Sequence, residues 1–148
     1  MSAPAVSSLY VAEPPAAYLL RPPLVVDCSA LAALLFEEPT RDQALAHLMG
    51  RSLHAPHLLD HEMVSVAAKK LKAGWPADSV VLALQDYAAQ ELSLHPTDVQ
   101  AQYLLAQRFG LSTYDAAYLW LAGELKCPLA SFDQKLAKAA TQYLSELP

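Results

Sequence analysis

The chain has 148 residues, a length that suits one domain of about 100–200 residues, and at 54% apolar it can bury a sizeable core and is not a disordered sequence. Ten Lys and Arg against fifteen Asp and Glu give a formal charge of −5, which excludes a protein that coats duplex nucleic acid with a broad basic surface. No apolar run approaches the ~20 residues of a membrane span, the N-terminus lacks the pattern of a signal peptide, and Cys28 and Cys127 form no C-x-x-C pair, so the sequence predicts a reduced, cytoplasmic setting with no membrane.

Residues 1–23 hold five of the eleven prolines (Pro4, Pro14, Pro15, Pro22 and Pro23) and only two charges. Proline fixes φ and removes a backbone donor, so this segment reads as an extended N-terminal arm, with a single domain over 24–148. From Leu24 the pattern alternates. A strand at Leu24–Cys28 precedes a helical stretch through Leu31, Leu34 and Leu35, and a second helix spans about 40–49. A short strand near Leu53–Ala55 stops at Pro56. The stretch His57–Lys72 has Leu59, Met63, Val66 and Leu71 at three-to-four spacing, an apolar face that either packs inward or serves a partner. Pro76 opens a helix to about Gln90, and Leu92–Leu94 is a short strand. Thr97 or Asp98 caps a helix to Arg108 that Gly110 ends, and Ser112 or Thr113 caps the helix over Tyr114–Leu125. A strand at Pro128–Ser131, a short helix around 134–140 and a fifth strand at Tyr143–Leu144 close the chain. Alternating strands and helices predict an α/β fold with a central, mostly parallel sheet of four to five strands, covered on both faces.

Two of the apolar strands run directly into a lone acid: Leu24-Val25-Val26 into Asp27, and Leu129-Ala130-Ser131-Phe132 into Asp133. Asp115 opens an apolar helix. An ionised carboxylate next to a buried run is costly unless it is paired or holds a cation. Both strand-end acids fall on the rim where ligands of open parallel sheets bind. Such acids on one rim are oxygen donors for a hard divalent metal, which points to metal-assisted chemistry on phosphate. Each acid alone has a plainer reading: Asp115 is a favourable first-turn acid, and Asp133 can cap the helix after it. A fourth acid is expected from the helix after Pro56, where Glu62 lies beside the apolar face and Asp60 sits in the solvated first turn. Lys69, Lys70, Lys72, Lys135 and Lys138 are candidate phosphate contacts, or simply a solvated helix face. His57 and His61 have the spacing of a zinc-binding pair, but Leu58 stands where the catalytic Glu of H-E-x-x-H belongs, which argues against zinc hydrolysis.

Val25-Val26-Asp27-Cys28-Ser29-Ala30-Leu31 resembles the opening strand of PIN-domain nucleases, with its apolar strand ending in Asp-x-Ser. Pro56 with Glu62 six residues on, Leu111-Ser112-Thr113-Tyr114-Asp115-Ala116-Ala117-Tyr118, and Pro128-Leu129-Ala130-Ser131-Phe132-Asp133 resemble that family's later motifs. The resemblance covers Leu24 to about Ala140, and its size and spacing are most similar to the VapC-type toxins of bacterial toxin–antitoxin pairs. It implies a PIN-like α/β/α sandwich and a Mg²⁺- or Mn²⁺-dependent endoribonuclease acting on RNA, inhibited by a cognate antitoxin and forming a homodimer. It carries the catalytic and metal-holding roles onto Asp27, Glu62, Asp115 and Asp133, with Ser29 and Ser131 orienting carboxylates. Ser65 stands where many members have Asn and Ser131 where many have Thr. Two other readings remain open: a PIN-fold RNA-processing nuclease outside toxin–antitoxin systems, and a catalytically silent interaction module of the same fold.

Overall fold

The computed structural model describes residues 21–148 together with residues 9, 10 and 12. Most of the proline-rich arm expected over 1–23 lies outside these residues. Its end is already sheet: β1 spans Pro23–Val26, and the carbonyl of Pro22 accepts from the Ser52 N–H. Proline lacks a donor but keeps its acceptor, so the strand starts one residue before the apolar run does.

Leu24, Val25 and Val26 are all buried, a continuous apolar run of the kind needed when both faces of a strand are covered. β1 lies between β2 (Ser52–Pro56) and β4 (Leu129–Ala130), with β3 (Leu92–His95) outside β2, giving the order β3-β2-β1-β4. Every pairing is parallel, with Val25 opposite both His54 and Leu129.

Seven helices among the described residues connect and cover these strands. α1 (Cys28–Leu35) and α2 (Arg41–Leu48) lead from β1 to β2, and α3 (Leu58–Lys72) and α4 (Ala77–Ala89) lead from β2 to β3. α5 (Val99–Phe109) and α6 (Thr113–Leu125) return the chain to β4, and α7 (Gln134–Ser145) follows it. Helices α1 to α4 pack on one another, as do α5 to α7, so two helical layers enclose the sheet. The chain steps outward from β1 to β3 and then returns to the other side of β1. β1 and β4 are therefore neighbours whose following helices belong to opposite layers, the topological switch point at which α/β sheets open a crevice. The core between the layers contains the fully buried Leu31, Phe36, Leu59, Met63, Tyr118 and Leu136.

Several boundaries differ from the sequence reading. Asp27 caps α1, so Cys28 begins a helix instead of ending a strand. The fifth strand expected at Tyr143–Leu144 is the last turn of α7, because Leu136, Ala139, Ala140 and Tyr143 keep helical spacing against α6. Leu59 and Met63 of α3 face fully inward, and Val66 packs partly against the same core. Gly110 ends α5 in the left-handed region at φ 62°, where a side chain would be strained. No helix among the described residues is long and apolar enough to cross a membrane.

Candidate functional site

Asp27 is the one buried charged residue among those described, 5% exposed. It stands where β1 turns into α1 and caps that helix: its Oδ1 accepts from the Ala30 N–H at 3.0 Å and from the Ser29 hydroxyl at 2.7 Å. The Ser131 hydroxyl donates to its Oδ2 at 2.5 Å. Burial pushes this carboxyl above its usual range, the bonds from Ser131, Ala30 and Ser29 work against that rise, and Asp133 adds to it.

The two serines tie the β1–α1 turn to the β4–α7 turn. Ser29 Oγ accepts from the Phe132 N–H at 3.0 Å, and Ser131 Oγ accepts from the Asp133 N–H at 2.9 Å. Each hydroxyl thus accepts from one turn and donates to Asp27, fixing its own proton in the process. Asp133 caps α7, its Oδ1 accepting from the Leu136 N–H at 3.0 Å. The two capped helices belong to opposite layers, so Asp27 and Asp133 flank the switch point.

The other two acids come from the layers. Asp115 is the third residue of α6, whose cap Ser112 accepts from the Asp115 N–H at 3.1 Å. Glu62 lies in the second turn of α3, and its Oε1 accepts from the Tyr118 hydroxyl at 2.7 Å. This bond bridges the layers, since Tyr118 is on α6. Burial raises the Glu62 carboxyl; Tyr118 opposes that, and Asp115 and Asp27 add to it. Burial likewise raises Asp115, followed by the charge of Asp133, with Asp27 adding and Lys135 opposing. The four acids thus feel one another as like charges. None is in an ion pair among the described residues, whose salt bridges join Arg41 to Asp42, Lys70 to Glu38 and Arg108 to Glu146.

The acids share the rim without collapsing into one cluster: no three His, Cys, Asp or Glu side chains among the described residues form a group that could hold a metal ion by themselves. Like charges repel, and two of the four are committed to helix caps. The donor set nonetheless fits one class of ion. Mg²⁺ keeps several waters and takes only one or two carboxylates directly, so an open arrangement of hard oxygens suits it, whereas a closed tetrahedral set would suit zinc.

The remaining candidates fall elsewhere. Asp60 accepts from the Tyr87 hydroxyl at 2.6 Å and belongs to the α3–α4 contact. Lys70 pairs with Glu38 at 3.0 Å, whereas Lys135 lies within electrostatic reach of Asp115. His57 and His61 are exposed; the close histidine contact is His54 Nδ1 to His95 Nε2, 2.8 Å across β2 and β3. Cys28 and Cys127 are free thiols, and burial pushes Cys28 up to about 12. Nothing in the sequence pattern alone gives Tyr118 a role or marks Asp27 as a cap. Tyr118 lies three residues after Asp115, on the same helix face, a signal that finds it once Asp115 is placed at the site.

The PIN domain family model matches residues 24–142. The chain is 32% identical over 117 residues to VapC ribonuclease Mb0985 of Mycobacterium bovis, and likewise to ribonuclease VapC9 of Mycobacterium tuberculosis, covering 77% of this chain and 88% of each relative. It is 30% identical over 121 residues to ribonuclease VapC3 of Pyrobaculum aerophilum, covering 78% of this chain and 92% of that one. The crystal structure of PAE2754 from Pyrobaculum aerophilum is similar in fold, with a TM-score of 0.60 at 20% identity over 84% of this chain and 88% of that one.

Proposed function

The chain belongs to the PIN-domain family, among the VapC ribonucleases, and we propose that Asp27, Glu62, Asp115 and Asp133 form the divalent-metal centre with which it hydrolyses RNA as the toxin of a type II toxin–antitoxin pair. One observation carries the assignment: a buried carboxylate, Asp27, sits without a cationic partner among the described residues and within electrostatic reach of the other three acids.

Asp27 is the chief ligand. A carboxylate has about four lone-pair positions. Ser29 and Ala30 occupy both on Oδ1, and Ser131 occupies one on Oδ2. One direction on Oδ2 is left, so Asp27 binds a cation through a single oxygen whose orientation the serines set. Glu62 has Oε2 free while Tyr118 holds Oε1. Asp133 keeps one oxygen after capping α7, and Asp115 completes the set. A bound Mg²⁺ or Mn²⁺ supplies a water of lowered pKa and neutralises charge at the scissile phosphate. The N-termini of α1, α6 and α7 carry Asp27, Asp115 and Asp133, and their dipoles favour anionic groups there.

The partners follow from the same assignment. RNA is the substrate and a cognate antitoxin the inhibitor, supplying a basic residue that neutralises the acids in place of metal. A homodimer is supported by Val64 (61% exposed), Leu71 (51%), Val81 (52%) and Leu82 (58%) on α3 and α4, apolar side chains of the kind that mark interfaces. The setting is cytoplasmic.

The test is cleavage of single-stranded RNA with Mg²⁺ or Mn²⁺ and its arrest by chelation. Asp27→Asn and Asp115→Asn should each lower kcat by more than about a hundredfold, beyond the ~10–100-fold typical of outer partners. Intact cleavage in both variants defeats the assignment. Expression should arrest growth, with rescue by the antitoxin.

A further inference from the structure

Beside the acids, a cavity of about 530 Å³ opens between α3 and the first turn of α6, within the ~300–1,000 Å³ span of small-ligand pockets. Leu58, His61, Glu62, Ser65 and Lys69 line it from one face of α3, and Tyr114 closes it from α6. Glu62 belongs to both cavity and acid rim, so a group seated here adjoins whatever the acids hold. Tyr114 immediately precedes Asp115 and is 63% exposed. A lone exposed aromatic needs no explanation, but this one forms the lip of a pocket that shares a wall with the proposed metal centre.

We propose that this cavity is a nucleobase subsite, in which the Tyr114 ring stacks on the unpaired base next to the phosphate held at the acids. The inference rests on the nuclease reading above. The walls combine apolar surface (Leu58, Val66 and the flat Tyr114 ring) with a hydroxyl and an imidazole, Ser65 and His61, that meet the polar edge of a base. Lys69 follows Glu62 by seven residues, about 10 Å along the helix axis. Its neighbour Lys70 is already paired with Glu38. The cavity therefore runs from an acidic end, where Glu62 and the other acids would hold the metal that binds a phosphate, to a cationic end at Lys69 suited to the next phosphate of a single strand. Because a hydroxyl both donates and accepts, Ser65 discriminates bases weakly, and recognition comes mainly from stacking.

The test uses the full chain carrying Asp27→Asn, so that no cleavage intervenes, and a single-stranded RNA oligonucleotide containing 2-aminopurine. Stacking on Tyr114 should quench its fluorescence. Tyr114→Ala should abolish the quench and weaken binding about tenfold, while Tyr114→Phe keeps both. With Asp27 intact, Tyr114→Ala should raise KM about tenfold and leave kcat nearly unchanged, as expected for lost ground-state binding. The ring is exposed, so the thermal unfolding midpoint should not move. Equal quenching and affinity with and without the ring overturns the subsite. So does an effect of Tyr114→Ala confined to a protein partner, which assigns the groove to that partner. If the chain with Asp27 intact cleaves no RNA while Tyr114-dependent quenching persists, the nuclease reading fails and the subsite stands.

Discussion

The Ser131 hydroxyl donates to Asp27 at 2.5 Å across a sequence separation of 104, and the same oxygen accepts from the Asp133 N–H. One side chain thus sets the orientation of a strand-end acid on β1 and of the turn carrying the acid after β4. Ser131→Ala leaves a buried carboxylate oxygen short of a donor, at a cost of about 1–3 kcal/mol, and raises Asp27 further because this bond lowers it. RNA cleavage should fall about 10–100-fold, as for other outer-shell partners. Ser131→Thr keeps the hydroxyl and should retain most activity, which a kcat comparison of the two variants checks.

Tyr118 holds Glu62 across the two helical layers. Its hydrogen bond lowers the Glu62 carboxyl against burial, so Tyr118→Phe should let Glu62 rise. The acidic limb of the pH–rate profile should then move to higher pH. The ring still fills its place in the core, so the stability loss should be about 1.5–3 kcal/mol, one hydrogen bond to a charged group. An unmoved limb would remove Glu62 from the groups that must ionise for cleavage.

Asp27, Glu62 and Asp115 all lie above their ordinary values, chiefly through burial. Acids raised in the folded state bind more protons there than in the unfolded chain, so stability falls as pH rises. Their favourable contribution is complete below the unfolded carboxylate range near pH 4 and is lost as pH climbs through the raised folded values. Glu146, lowered by its bond from Arg108, works in the opposite direction but is exposed, so its effect is screened. In chelator-containing buffer, Asp27→Asn should remove part of the fall in unfolding midpoint that the parent shows between pH 4 and neutral pH, while abolishing cleavage. Mg²⁺ should stabilise the parent more than the variant, a difference that calorimetry resolves.

Legibility in the sequence tracks how local each cause is. Asp98, Ser112 and Gly110 announce helix ends through bonds within a few residues, and the apolar run before Asp27 announces a buried strand. Asp133 was legible both as a rim acid and as a cap, and it is both. The order β3-β2-β1-β4 was not legible, because nothing local says that β4 returns to pair with β1. The Tyr118–Glu62 bond spans a separation of 56 and depends on how two layers meet. The α7 boundary is not legible either, because Tyr143-Leu144 is a short apolar pair, ambiguous between strand and helix until α6 is present to pack against.

That α6–α7 packing also sets the distance between two of the acids, since α6 carries Asp115 and α7 follows Asp133. It depends on Gly123: a Cβ there would stand about 2.5 Å from the Tyr143 ring. Tyr143 in turn packs edge-on against Phe109, with ring centroids 5.9 Å apart. Gly123→Ala gains about 1 kcal/mol of helix propensity but must displace that ring. The displacement costs about 1–3 kcal/mol of overpacking and the aromatic pair, about 0.5–1.5 kcal/mol. The net change should be destabilising by roughly 0.5–3.5 kcal/mol. In a Tyr143→Ala background the obstruction is gone, and the same substitution should stabilise by about the propensity term alone. The sign reversal is the discriminating result, because two independent substitutions would simply add. Gly123→Ala alone should also lower RNA cleavage by moving α7 away from α6, whereas a variant that loses stability but keeps full kcat would show that the separation of Asp115 and Asp133 tolerates that movement.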